Sequence, residues 1–178
     1  MSQITKLVLD KLIERLAESS VGFNANHAAV AATYGVEPVV IDFDFGASHS
    51  LFKGGVQNEA WLRAAGLVFP AMTVYPRSSA HQAIMKAHVF SGRVYLGVSV
   101  WLEWLKDRSR LQDFTAGYGA VEDAMYATIQ TMANMGHWVG AMIYANDLGC
   151  VPGALAQDEN GNWFQGIHFS LSFQVHAA

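Results

Sequence analysis

The sequence predicts an α+β fold: a mainly antiparallel sheet with an N-terminal amphipathic helix and a principal helix, about Gly119 to Asn134, packed on one face. Three observations predict it. From Ile167 the alternation is unbroken, with Ile167, Phe169, Leu171, Phe173 and Val175 set for one side of a strand and His168, Ser170, Ser172, Gln174 and His176 for the other. That period of two marks a half-buried strand. Arg93 to Trp104 repeats it, with Val94, Leu96, Val98, Val100 and Leu102 opposed to Tyr95, Gly97, Ser99, Trp101 and Glu103. Val121, Ala124, Met125, Thr128, Ile129 and Met132 instead recur at helical spacing, with Glu122 and Asp123 in the favourable first turn.

In chain order, Ser2 is placed to cap a helix running to about Ser19, with Val8, Leu9, Leu12, Ile13 and Leu16 on its apolar side. Leu7 falls among the charged positions, as an ordinary exposed leucine or a contact to a neighbouring subunit. Asn26 to Tyr34, closed by Gly35, reads as a short helix, Val39 to Phe45 as a strand and Gly46 to Gln57 as a loop. Asn58 to Ala65 reads as a further short helix. The stretch 24–66 is thus a loop-rich insertion within a single domain, 1–178.

Leu67 to Tyr75, broken by Pro70, fits a strand near an edge or with a bulge. Gln82 to Phe90 and Arg93 to Trp104 flank Ser91-Gly92, which reads as a two-residue hairpin turn. Leu105 to Thr115 is a charged connector. After the principal helix, Trp138 to Tyr144 reads as a strand and Asn146 to Gly153 as a loop, while Asp158-Glu159-Asn160-Gly161 supplies a hairpin turn into the last strand.

Composition narrows the function. With 52% hydrophobic and 15% charged residues, the chain holds more apolar surface than a lone domain easily hides, which suits self-association. A net charge of -4, with no basic cluster longer than Lys106 to Arg110, argues against nucleic-acid binding. Lys6, Asp10, Lys11, Glu14 and Arg15 interrupt any signal-peptide core. Ala124 to Asn146 lacks Asp, Glu, Lys and Arg, but Gln130, Asn134, Gly136 and His137 break its apolarity, so no membrane span is expected.

No stretch declares a chemistry, and no catalytic residue, metal ligand or cofactor is assigned. His27, His49, His81, His88, His137, His168 and His176 are scattered; His168 and His176 share a strand face but stand about 26 Å apart if extended. Gly117-Tyr118-Gly119 lacks the third glycine and the lysine of phosphate loops and reads as helix entry. Asp158 to Asn162 lacks the glycine and closing glutamate of a calcium loop. Cys150, the single cysteine, rules out an intramolecular disulfide and reads as a structural residue. Trp101 and Trp104, three apart, fall on opposite strand faces, one for the core and one for an interface.

The helix Ser2 to Ser19, the strand Val68 to Tyr75, the long arm GRVYLGVSVWLEW, the helix YGAVEDAMYATIQTMAN and the terminal FSLSFQVH follow one another in an order that resembles the tail terminator or tail-completion proteins of long-tailed bacteriophages. More loosely the chain resembles their neck and head-tail connector proteins. The resemblance covers Ser2 to Ser19 and Leu67 to Ala178. It implies a virion subunit that forms a closed ring, typically a hexamer, caps the tail tube and presents a face to the head-side connector; it carries no catalytic residues. The alternative from another class is a small-molecule-binding or enzymatic domain with a pocket between principal helix and sheet, which a cluster of His137, Cys150 and a carboxylate would mark.

Overall fold

The computed structural model describes residues 3–44, 50–53, 68–85, 89–104, 114–133, 141–157 and 159–177. Within them the chain forms, in order, α1 (Gln3–Ala17), α2 (Phe23–Tyr34), β1 (Leu51–Phe52), β2 (Ala71–Met85), β3 (Val89–Trp104), α3 (Phe114–Ala133), β4 (Ala141–Pro152), β5 (Ala156–Gln157) and β6 (Trp163–Ala177). The strands make one sheet in the order β1-β2-β3-β6-β4, with β5 also on β6. Every pairing is antiparallel except β1 with β2. The α+β reading holds.

The alternation in β3 and β6 becomes packing because their register sets like beside like: Val94 opposite Phe173, Leu96 opposite Leu171, Val98 opposite Phe169, Val100 opposite Ile167. These side chains are buried together with Val8, Leu12 and Leu16 of α1 and Val121, Ala124 and Met125 of α3. Both expected amphipathic helices therefore lie on the same face of the sheet. Leu7 packs against this core, half-buried.

Several boundaries move. The principal helix begins at Phe114 rather than Gly119, so Gly117 and Gly119 lie inside it. At Gly119 the reason is contact: an added Cβ would sit 2.7 Å from the Tyr34 ring. Tyr34 also donates a 2.6 Å hydrogen bond to Asp123. A mid-helix glycine costs about 1 kcal/mol relative to alanine, and here it admits the α2 ring against α3.

Ser91-Gly92 is not a turn. Both residues lie in β3, opposite Ala83 and His81, and the reversal falls between Met85 and Val89. The two runs before it are one strand, β2, which passes through Pro76 because a bulge between Pro76 and Ser78 lies where β1 no longer covers it. Proline is tolerated at such edges and bulges. Similarly, Asn146 to Pro152 is strand rather than loop: a bulge between Ala145 and Asp147 absorbs one residue, and pairing to β6 runs on to Pro152. Gly161, at φ 80, closes the expected hairpin, whose first arm is the short β5.

Within 24–66, α2 forms as expected and ends on Gly35 in the left-handed conformation. The strand expected at Val39 to Phe45 does not join the sheet; 36–44 is irregular. Side chains of α2 bond its backbone instead. Asn24 accepts from the Ile41 N–H at 2.9 Å and donates to the Ile41 carbonyl at 2.7 Å, and His27 Nδ1 accepts from the Val39 N–H at 3.1 Å. Ile41 is buried as a result. The expected loop 46–57 contains β1, and the helix expected at Asn58 to Ala65 lies outside the described residues.

Two predictions follow from this packing. Phe173→Ala should lower unfolding free energy by about 3 to 5 kcal/mol in urea titrations, the cost of truncating a buried aromatic ring; a loss below about 1 kcal/mol would show the strand facing the other way. The second concerns acid. Burial lowers the His27 pKa from 6.5 to about 4, so the folded state holds the ring neutral where the unfolded chain already takes a proton. Stability from this group is complete above about pH 6.5 and falls as pH drops toward 4, by up to about 3 kcal/mol. The stability difference between wild type and His27→Gln should shrink over that window; a pH-independent difference would refute it.

Candidate functional site

The helices cover one face of the sheet, so the other is where a site has room. Its residues are the second set of each alternation: Tyr95, Gly97, Ser99 and Trp101 from β3, and Gly166, His168, Ser170 and Ser172 from β6. One cross-strand row, Tyr75, Gly97, Ser170 and Gly149, has glycines on either side of the serine. At Gly97 the missing side chain makes room for the Tyr75 ring, which an added Cβ would approach to 2.4 Å.

Above this row lies Arg77. As the extra residue of the β2 bulge it crosses β3, and its Nη1 donates to the Ser170 hydroxyl of β6. A concavity of about 370 Å³ opens there, lined by Arg77, Ser78, Tyr95, Gly149, Ser170 and Ser172. Ser170 is exposed and Ser172 is 4% exposed, so the two outward-facing serines differ in access. Guanidinium and hydroxyl donors around an open floor suit a planar anion. Arg77 was not signalled by any motif; its only trace in the sequence is that Pro76-Arg77-Ser78 breaks a strand pattern.

Toward the other end of the face, Trp101 packs with Ala71 and Phe69, and Phe69 meets Phe164 with ring centroids 5.2 Å apart. His168 stands edge-on to Trp101 at 5.3 Å, and its Nδ1 lies 2.8 Å from Ser99 Oγ. Gly166 is required beneath them, since a Cβ would come within 2.9 Å of both rings. The serine and imidazole have the separation of a nucleophile and base, but Ser99 is 2% exposed and beyond a substrate's reach. Burial lowers the His168 pKa. Trp101, expected to be core or interface, is buried on the helix-free side, and the Trp104 side chain lies outside the described residues.

Cys150, on β4, receives a 3.5 Å hydrogen bond from the Tyr118 hydroxyl of α3. Burial pushes its thiol up, the Tyr118 bond pulls down, and Glu122 raises it further; the net shift is upward. A thiol held protonated is poorly nucleophilic. His137 lies outside the described residues. Where the alternative reading expects a pocket, Val121 and Met125 of α3 and Phe169 and Phe173 of β6 are buried in one contiguous cluster. Among the described residues no group of His, Cys, Asp and Glu is placed to hold a metal ion, and no helix is long and apolar enough to cross a membrane.

No protein-family model matches this chain, and no curated protein matches it either. For Cys150, replacement by serine should change stability by about 1 to 2 kcal/mol and leave any assembly or activity within a few-fold of wild type. Loss of function in a variant with an unchanged melting curve would make the thiol a reacting group.

Proposed function

We propose that the chain is a structural subunit that assembles with copies of itself into a closed ring, in the manner of phage tail terminators. In that role it caps a tail tube, presents a face to a head-side connector and resides in the virion. The ring size expected from the resemblance is six.

The observation that carries this reading is the distribution of exposed apolar side chains over both sides of the subunit. Val151 is 63% exposed at the margin of the helix-free face, while Val40 at 63% and Tyr126 at 41% stand out on the helical side. Apolar surface on two unlike faces is what a head-to-tail assembly buries, whereas a two-fold dimer needs one self-complementary patch. The low charge content supports it: between Ala124 and Gln157 the only Asp, Glu, Lys or Arg is Asp147.

Light scattering across a wide concentration range, with negative-stain imaging, tests it. Rings, alone or templated on a tail tube, are the expected result. A protein that stays monomeric at every concentration and forms no ring on the tube would overturn the proposal.

A further inference from the structure

We infer that the subunits join with the Arg77 concavity of one copy receiving a carboxylate from the α2 and α3 side of the next. The inference rests on the self-association proposed above and adds the two surfaces that meet.

Its starting point is where the cations go. Among the described residues, Lys6 and Lys53 reach Asp10, Lys11 reaches Glu14 and Arg15 reaches Glu18. Arg77 and Arg93 instead point at neutral oxygens, Ser170 and Gln174, on the helix-free face. A guanidinium has five N–H donors in a planar fork shaped for a carboxylate, and Ser170 uses only part of that capacity. The concavity beside it has room for a carboxylate side chain, and Gly149 leaves its floor low. On the same face β3 carries one acidic residue, Glu103, near its end.

On the opposite side, α1 pairs its own Lys6, Lys11 and Arg15 with carboxylates, and the α2 and α3 part has the complementary character. Neither 23–44 nor α3 contains a lysine or arginine, yet they carry Glu37, Asp42, Asp44, Glu122 and Asp123. Val40 and Tyr126, exposed apolar residues of that side, lie near these carboxylates in sequence, while Val151 is exposed on β4, opposite His168 in register. Because the helices and the concavity occupy opposite faces of one sheet, a chain cannot bring its own acidic surface to its own Arg77. A second copy supplies it. The contact is then between unlike surfaces, which produces rings when the rotation closes and fibres when it does not.

Sedimentation velocity on the full chain tests this, using wild type, Arg77→Glu and Ser170→Asp. The second variant leaves Arg77 in place but offers it an internal carboxylate. Both variants should associate roughly tenfold more weakly or worse, with unchanged circular dichroism, and wild-type association should weaken with salt. Arg77→Glu keeps an intact acidic side, so substoichiometric amounts should bind one wild-type chain and stop further growth. If wild type associates neither alone nor on a tail tube, the ring proposal fails and this inference with it. If wild type associates and both variants match it, the ring stands and the Arg77 contact is wrong. Weakening without poisoning would overturn the head-to-tail arrangement. Should Arg77→Glu misfold, Ser170→Asp decides alone.

Discussion

The structure depends on β6 being paired along both edges. A strand flanked by β3 on one side and by β4 and β5 on the other must satisfy two ladders with a single pleat, and a slip of one residue against either neighbour would turn Phe169, Leu171 and Phe173 out of the core. Its alternation therefore sets the inward side for three strands at once. The helices add no register of their own; they lie where that apolar face directs them. The helix-free face is the by-product, since each inward phenylalanine or leucine turns its chain neighbours outward.

Legibility in the sequence follows the same hierarchy. The alternating residues of β3 and β6 and the helical stripes of α1 and α3 were readable because burial on one side imposes a period that local residues carry by themselves. The errors cluster where a partner overrides local preference. Ser91-Gly92 has turn chemistry, but the strands on both sides of β3 hold it extended. Asn146 to Pro152 looks like a loop until β6 supplies a ladder for it. Val39 to Phe45 alternates like a strand, but Asn24 and His27 take the hydrogen bonds of Ile41 and Val39 that a neighbour strand would have made.

The Arg77 concavity was not legible at all, for a related reason. It is assembled from β2, β3, β4 and β6, and the arginine reaches Ser170 only because an extra residue in β2 changes the phase of that strand. A bulge is a relation between two strands, so nothing local to Pro76-Arg77-Ser78 announces where the guanidinium will point. The local charge contrast was equally hidden: a net charge of -4 says nothing about Arg77 and Arg93 on the helix-free face, or about the carboxylates without lysine or arginine along 23–44 and α3.

The attachment of 36–44 through Asn24 and His27 has a consequence for how this chain can vary. A segment held by side-chain hydrogen bonds to one helix, rather than by a ladder, has no register to preserve against the sheet. Residues can be gained or lost between Gly35 and the anchor at Ile41 without a ladder to re-register, and doubling such a loop costs only about 0.6 kcal/mol in closure entropy. Only the ladder-free segment 36–44 has this freedom to be re-cut to the dimensions of whatever it meets, since α2 before it and β1 after it are packed into the core and the sheet.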